Sequence, residues 1–163
     1  MTIIKRAERT LKQLAKLNIT WPQFAVCNDN PTKSFEAMCR RLFTAEFLKG
    51  KNRPHSDHNN AGIEVLPILE PEREDGQSQK RISFQSKYVD QPSYAYAEFQ
   101  KSARITAERY KGELDIVYLF CNKTLSTTAN GYKRVVEILR EAGIETVCFD
   151  RQNQSSAGGR EID

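Results

Sequence analysis

A glutamate at position 64 and a Gln-Ser-Lys run at 85–87 stand twenty-one residues apart, each inside a short apolar segment. GIEVLPIL (62–69) is rich in β-branched residues, and RISFQSKYV (81–89) alternates, so both read as strands. Side chains on a strand point alternately to its two faces. Ile82, Phe84 and Tyr88 therefore share one face, and Gln85 and Lys87 the other. Pairing the two strands as a hairpin is expected to bring Glu64 to the face of Gln85 and Lys87. A carboxylate, an amide oxygen and an ammonium in one cluster suit cation-assisted hydrolysis of a phosphodiester. Hard oxygen ligands hold Mg²⁺ or Mn²⁺. Such a cation lowers the pKa of a bound water and stabilises charge on phosphoryl oxygens. Lys87 would orient that water or neutralise the pentacovalent phosphate. Gln85 in place of a second acid leaves the site less negative.

Other residues are weaker candidates. Asn59 and Asn60 precede Gly62 and would line a cleft beside Glu64, and Ser86 lies between Gln85 and Lys87. Lys101 and Arg104 fall on a following helix from which they would contact backbone phosphates; a solvated face explains them equally well. His55, Asp57 and His58 have no further ligand nearby for a metal. The four cysteines, Cys27, Cys39, Cys121 and Cys148, form no C-x-x-C pair and read as reduced thiols of a cytoplasmic protein. No Gly-rich phosphate loop and no local Ser/His/Asp arrangement is present.

The elements that must position these residues follow from periodicity. Ile4, Ala7, Leu11, Leu14 and Leu17 make an amphipathic helix over 3–17 with a basic outer face. Pro22 is expected to break any helix in ITWPQFAVCNDNP. Asn30-Pro31 reads as a helix start, and the helix over 33–49 carries Phe35, Met38, Cys39, Leu42, Phe43 and Phe47 inward. After the hairpin, a helix runs from Gln91 to about Lys111, with Tyr96, Phe99, Ala103, Thr106, Ala107 and Tyr110 inward. LDIVYLFCN (114–122) is a strand buried on both faces. A helix over 130–142 and a last strand over 144–150 complete a domain over 1–150. The tail 151–163 lacks a core-forming pattern and reads as disordered or as the start of a linker. The expected fold class is α/β, a mixed central sheet flanked by helices.

A chain of 163 residues with 39% hydrophobic and 28% charged residues has the composition of one globular domain. No apolar run approaches the roughly 18 residues of a membrane span, so no membrane partner is expected. The net charge of +4 is uneven: eleven basic residues face four acidic ones through Arg53, and the remainder is net acidic. A basic half is compatible with a polyanionic partner.

NNAGIEVLPI followed by ISFQSKYV resembles the PD-(D/E)xK nuclease superfamily, in its Mrr-like branch with Q-x-K as the third motif. More narrowly it is similar to N-terminal nuclease modules of bacterial antiphage NACHT/STAND-type proteins and to defence effector nucleases. The resemblance covers about 33–150 and implies a restriction-endonuclease-like fold. It implies a glutamate on the first core helix that completes the site, and Glu36 in SFEAMCRRLF matches that position. Glu36 also stands one helical turn from Arg40, as an ordinary ion pair would. The implied function is a Mg²⁺- or Mn²⁺-dependent endodeoxyribonuclease of low sequence specificity. Glu64, Gln85 and Glu36 would be ligands, Lys87 the catalytic cation, and double-stranded DNA the substrate. A sensor or NTPase module, or a homo-oligomer, would gate it. Two departures stand out. The family's usual aspartate is Glu64 here, and only two of three strands are legible before the second helix. The third is sought within 51–60 or in ITWPQFAV. A nuclease-fold module that binds without cutting, and an RNase on the same fold, are the competing expectations.

Overall fold

The computed structural model describes residues 20–48, 62–71 and 78–149. The expected helix over 3–17, the loop with His55, Asp57, His58, Asn59 and Asn60, and the tail 151–163 lie outside them. The chain divides into two compact units, Met1–Ser34 and Phe35–Asp163.

In the first unit, α1 (Trp21–Val26) begins where a helix break was expected. Pro22 sits in its first turn, where the missing N–H is no loss. Thr20 and Gln23 close a capping box: Gln23 N–H donates to Thr20 Oγ1 (3.4 Å) and Thr20 N–H to Gln23 Oε1 (2.8 Å). ITWPQFAV therefore supplies a helix and not the third strand. The helix α2 (Pro31–Phe47) starts as its sequence requires, with Asn30 Oδ1 accepting the Lys33 N–H (3.0 Å).

The second unit holds a four-stranded mixed sheet: β1 (Ile68–Leu69), β2 (Arg81–Lys87), β3 (Ile116–Cys121) and β4 (Glu145–Phe149), in that spatial order. β1 is antiparallel to β2, pairing Ile68 with Ile82. β3 and β4 run parallel to β2. The parallel steps are made by α3 (Pro92–Arg109) and α4 (Asn130–Glu141).

Alternation along the strands sorts the core into two layers. Phe84, Tyr118 and Phe149 meet Phe43 and Phe47 of α2, and Phe120 packs between Phe84 and Phe149; the Phe43 and Phe84 rings are 5.0 Å apart and Phe47 stacks on Tyr118 at 3.9 Å. Val117, Leu119 and Cys148 face the other way, into a cluster with Phe99, Ala103, Val135 and Leu139 of α3 and α4. β3 is thus buried on both faces, as expected of a parallel central strand. Leu42, expected inward on α2, is 40% exposed, because α2 presents only the narrower stripe Phe35, Cys39 and Phe43 to the sheet. No helix among the described residues is long and apolar enough to cross a membrane.

The expected strand over 62–69 is a strand only at Ile68–Leu69. Residues 62–65 instead form a turn and bends, beginning with Gly62 at φ 83°. They are tied to β2 partly by side chains. Glu64 N–H still donates to the Phe84 carbonyl (2.9 Å), but Ser83 Oγ donates to the Val65 carbonyl (2.7 Å) and Gln85 Nε2 to the Gly62 carbonyl. Side-chain donors take the place of a regular ladder, so the segment satisfies its carbonyls without being a strand.

Candidate functional site: an acidic cluster beside the end of β2

Glu64 is fixed by Ser86. Its Oε1 accepts the Ser86 backbone N–H (3.1 Å) and the Ser86 hydroxyl (3.2 Å). The β1 register does not extend this far: the Glu64 backbone meets the Phe84 carbonyl, and its side chain reaches on to Ser86. Glu64 accordingly joins the face that Ser86 shares with Phe84, and α2 packs on that face. Burial raises the Glu64 carboxyl above its usual range, and the nearby Glu36 charge adds to this; the Ser86 donors and the Lys87 charge oppose it without prevailing. The charges of Glu36 and Lys87 both act on Glu64.

Arg40 joins the same cluster. Its Nη2 donates to Glu36 Oε1 (2.7 Å) and to the Glu64 main-chain carbonyl (3.4 Å), so it links α2 to the segment carrying Glu64. In the sequence Arg40 stood only as an ion-pair partner for Glu36, and its reach to Glu64 had no local signal. The buried Cys39 thiol is pushed well above its ordinary pKa by burial first, and then by the Glu64 charge. It is packing, not a nucleophile.

Gln85 lies elsewhere. Its side chain points to the α3 side of the sheet, where Nε2 donates to the Gly62 carbonyl and to Thr106 Oγ1 (3.0 Å). Thr106 in turn donates to the Gly62 or Ser102 carbonyl, each at 2.9 Å. The expected convergence of Glu64 with Gln85 on one face is therefore corrected. Successive strand residues point to opposite faces, and the Glu64 carboxylate lies with Ser86 while Gln85 turns to α3. Gln85 is 1% exposed and its Oε1 has no hydrogen-bond partner. The amide orientation is fixed chemically, since the atom beside the Gly62 carbonyl must be a donor. A buried carbonyl oxygen without a donor is unfavourable by about 1–3 kcal/mol unless a ligand satisfies it.

The remaining candidates separate. Lys101 and Arg104 are exposed on α3, the helix that packs over Gln85. Neither forms an ion pair or a hydrogen bond with Glu64 or Lys87 among the described residues. Asn59 and Asn60 fall outside those residues. Gly62 and Thr106 were not singled out as parts of the site. A side chain at Gly62 would place Cβ 2.6 Å from Thr106 Oγ1 and 2.8 Å from the Ser102 carbonyl, so only glycine allows α3 this close.

The donor set for a cation is two carboxylates, Glu36 and Glu64; the orphaned Gln85 oxygen belongs to the α3 side of the sheet. Among the described residues no three His, Cys, Asp or Glu side chains gather as a metal-ligating group. The oxygen-only character of the set fits a hard divalent ion and disfavours zinc. In searches of protein-family models and of curated proteins, the chain matches no family model and no curated protein.

Proposed function

We propose that this chain is a Mg²⁺- or Mn²⁺-dependent endonuclease acting on DNA with low sequence specificity. The observation that carries the reading is the Glu64 carboxylate. It is half-buried, locked by two Ser86 donors, and feels the charges of a second acid, Glu36, and of Lys87. A half-buried carboxylate raised by burial and then by a like charge is a common mark of a functional site. Glu36 and Glu64 would hold the ion; when bound, the ion would polarise the scissile phosphate and acidify a water. Ser86 keeps Glu64 in one rotamer. Lys87 donates to a phosphate oxygen as negative charge grows on it, which is worth about 10²–10³ in rate for a well-placed donor. Phosphate contacts carry no base information, which suits loose specificity. The sequence resemblance extends the proposal to an effector domain of antiphage defence, gated by a sensor module.

A second reading has a specific observation in its favour. Glu64 and Gln85 face different helices, so the same fold would serve equally as a module that binds nucleic acid without cutting it.

Plasmid DNA and a structured RNA, incubated side by side with the protein and Mg²⁺ or Mn²⁺, test both. The expected result is cation-dependent cutting of DNA, reduced at least about 10²-fold by Lys87→Ala and by Glu64→Ala. Salt-sensitive DNA retention with no cutting favours the binding module. RNA cut in preference to DNA changes the substrate class. Cutting that survives both substitutions overturns the site.

A further inference from the structure

Two arginines of this chain pair with acids in different ways. Arg81 grips Asp115 with two prongs, Nε to Oδ2 (3.1 Å) and Nη2 to Oδ1 (3.0 Å), and spends Nη1 on the Gly112 carbonyl (2.7 Å). Every amino group of that guanidinium is used. Arg40 spends a single amino group, Nη2, on both Glu36 and the Glu64 carbonyl. Its Nη1 is buried and has no acceptor. A two-pronged pair is the stronger and more specific form, whereas a one-pronged pair with a stranded donor is poised to open. An ordinary helix pair four residues apart does not account for the arrangement. The Arg40 side chain is 19% exposed, and it bridges to the main chain of a residue twenty-four positions away.

We infer that Arg40 is the internal counter-ion of this site: its guanidinium holds Glu36 until a divalent cation takes that carboxylate, and then yields it. This rests on the proposed reading, in which Glu36 and Glu64 share a cation. The two acids repel each other, and Glu36 raises the energy of a charged Glu64. The positive charge of Arg40 offsets that repulsion while no cation is bound. A divalent ion brings charge of the same sign to the same Glu36 oxygen, so ion and guanidinium compete for it. Arg40 is then a positioning residue, acting through Glu36 and the Glu64 backbone. Its removal should weaken the cation-free protein and tighten cation binding, two effects of opposite sign.

Calorimetric titration of the full chain with Mn²⁺ alone, without nucleic acid, tests this, together with melting curves in the presence and absence of Mn²⁺. Relative to wild type, Arg40→Gln should bind Mn²⁺ at least about five-fold tighter, because a nearby positive charge is gone. It should also melt lower without the ion and gain more on adding it. Arg40→Lys keeps the charge but loses the reach to Glu64, so its Mn²⁺ affinity should lie between the two. This variant carries the test should Arg40→Gln not fold. Glu64→Gln should lose Mn²⁺ binding. Wild type that binds Mn²⁺ through Glu64, with Arg40 variants that bind it equally or more weakly, overturns the inference and leaves the proposed function standing. No Mn²⁺ binding in any variant, Arg40→Gln included, sinks both.

Discussion

Glu64 carries a charge that its surroundings oppose. Its pKa in the folded chain lies above the ordinary 4.5. Folding is then favoured while Glu64 is protonated, below about pH 4.5, and that advantage is lost as pH rises through the folded value. Glu64→Gln keeps an oxygen for the Ser86 donors and cannot ionise. Its melting temperature should match that of wild type near pH 4 and exceed it by about pH 7, as pH-dependent thermal melts would show. A lower melting temperature at neutral pH would mean that the ionised carboxylate is not under strain. Gln85 makes the opposite case, since its amide nitrogen is what the structure uses. Gln85→Glu removes the donor to the Gly62 carbonyl and sets two acceptors against each other in a buried place. A loss of about 1–3 kcal/mol in urea unfolding is expected. Gln85→Glu as stable as wild type would show that Nε2 does not matter to the fold.

At the scale of elements, the segment 62–65 depends on a glycine and on a clamp. Gly62 has a left-handed φ of 83°, and a Cβ there would meet Thr106 and Ser102 of α3. Gly62→Ala should destabilise the fold by about 2–4 kcal/mol through backbone strain and overpacking. It should weaken cation binding as well, because the neighbouring Glu64 moves with it; denaturant unfolding and Mn²⁺ titration measure the two. The clamp is Arg81 with Asp115, which joins the start of β2 to the turn before β3. Hydrogen bonds from Arg81 hold the Asp115 carboxyl below its usual 3.8. This stability is present above that value and is lost as pH falls through the folded pKa. Asp115→Asn should therefore melt below wild type at neutral pH by a small margin, since the pair is partly exposed, and the difference should close in acid. Most of these elements are legible in the sequence. Helical spacing locates α2, α3 and α4 within a few residues, and the apolar run at 114–122 locates β3. The misses have definite causes. Pro22 opens α1 where it was read as a breaker, because a proline fits the first turn as well as it disrupts an interior. GIEVLPIL has the composition of a strand, but β2 side chains bind two of its carbonyls, and composition cannot register that.

For the whole molecule, the site is only as firm as the contact between α2 and the sheet. Phe43 is fully buried against Phe84 and Tyr118, on the helix that also carries Glu36 and Arg40. Phe43→Ala should lose about 3–5 kcal/mol in equilibrium unfolding. Leu42→Ala, one position along and 40% exposed, should lose less than about 1 kcal/mol. Equal losses would mean that α2 does not dock through the Phe43 stripe.

The periodic elements and the mixed α/β class were legible in the sequence, because they depend on local spacing. Glu64 and Lys87 were singled out from strand alternation, and Glu36 only from the family resemblance. Only the tertiary structure decided which of them meet. A strand sequence specifies two faces but not what its partner segment brings to each, and here the Glu64 side chain meets Ser86 while Gln85 lies under α3. The same long-range pairing brought Arg40 to the Glu64 carbonyl and Gly62 against Thr106, contacts between residues too far apart in the chain for any periodic pattern to join.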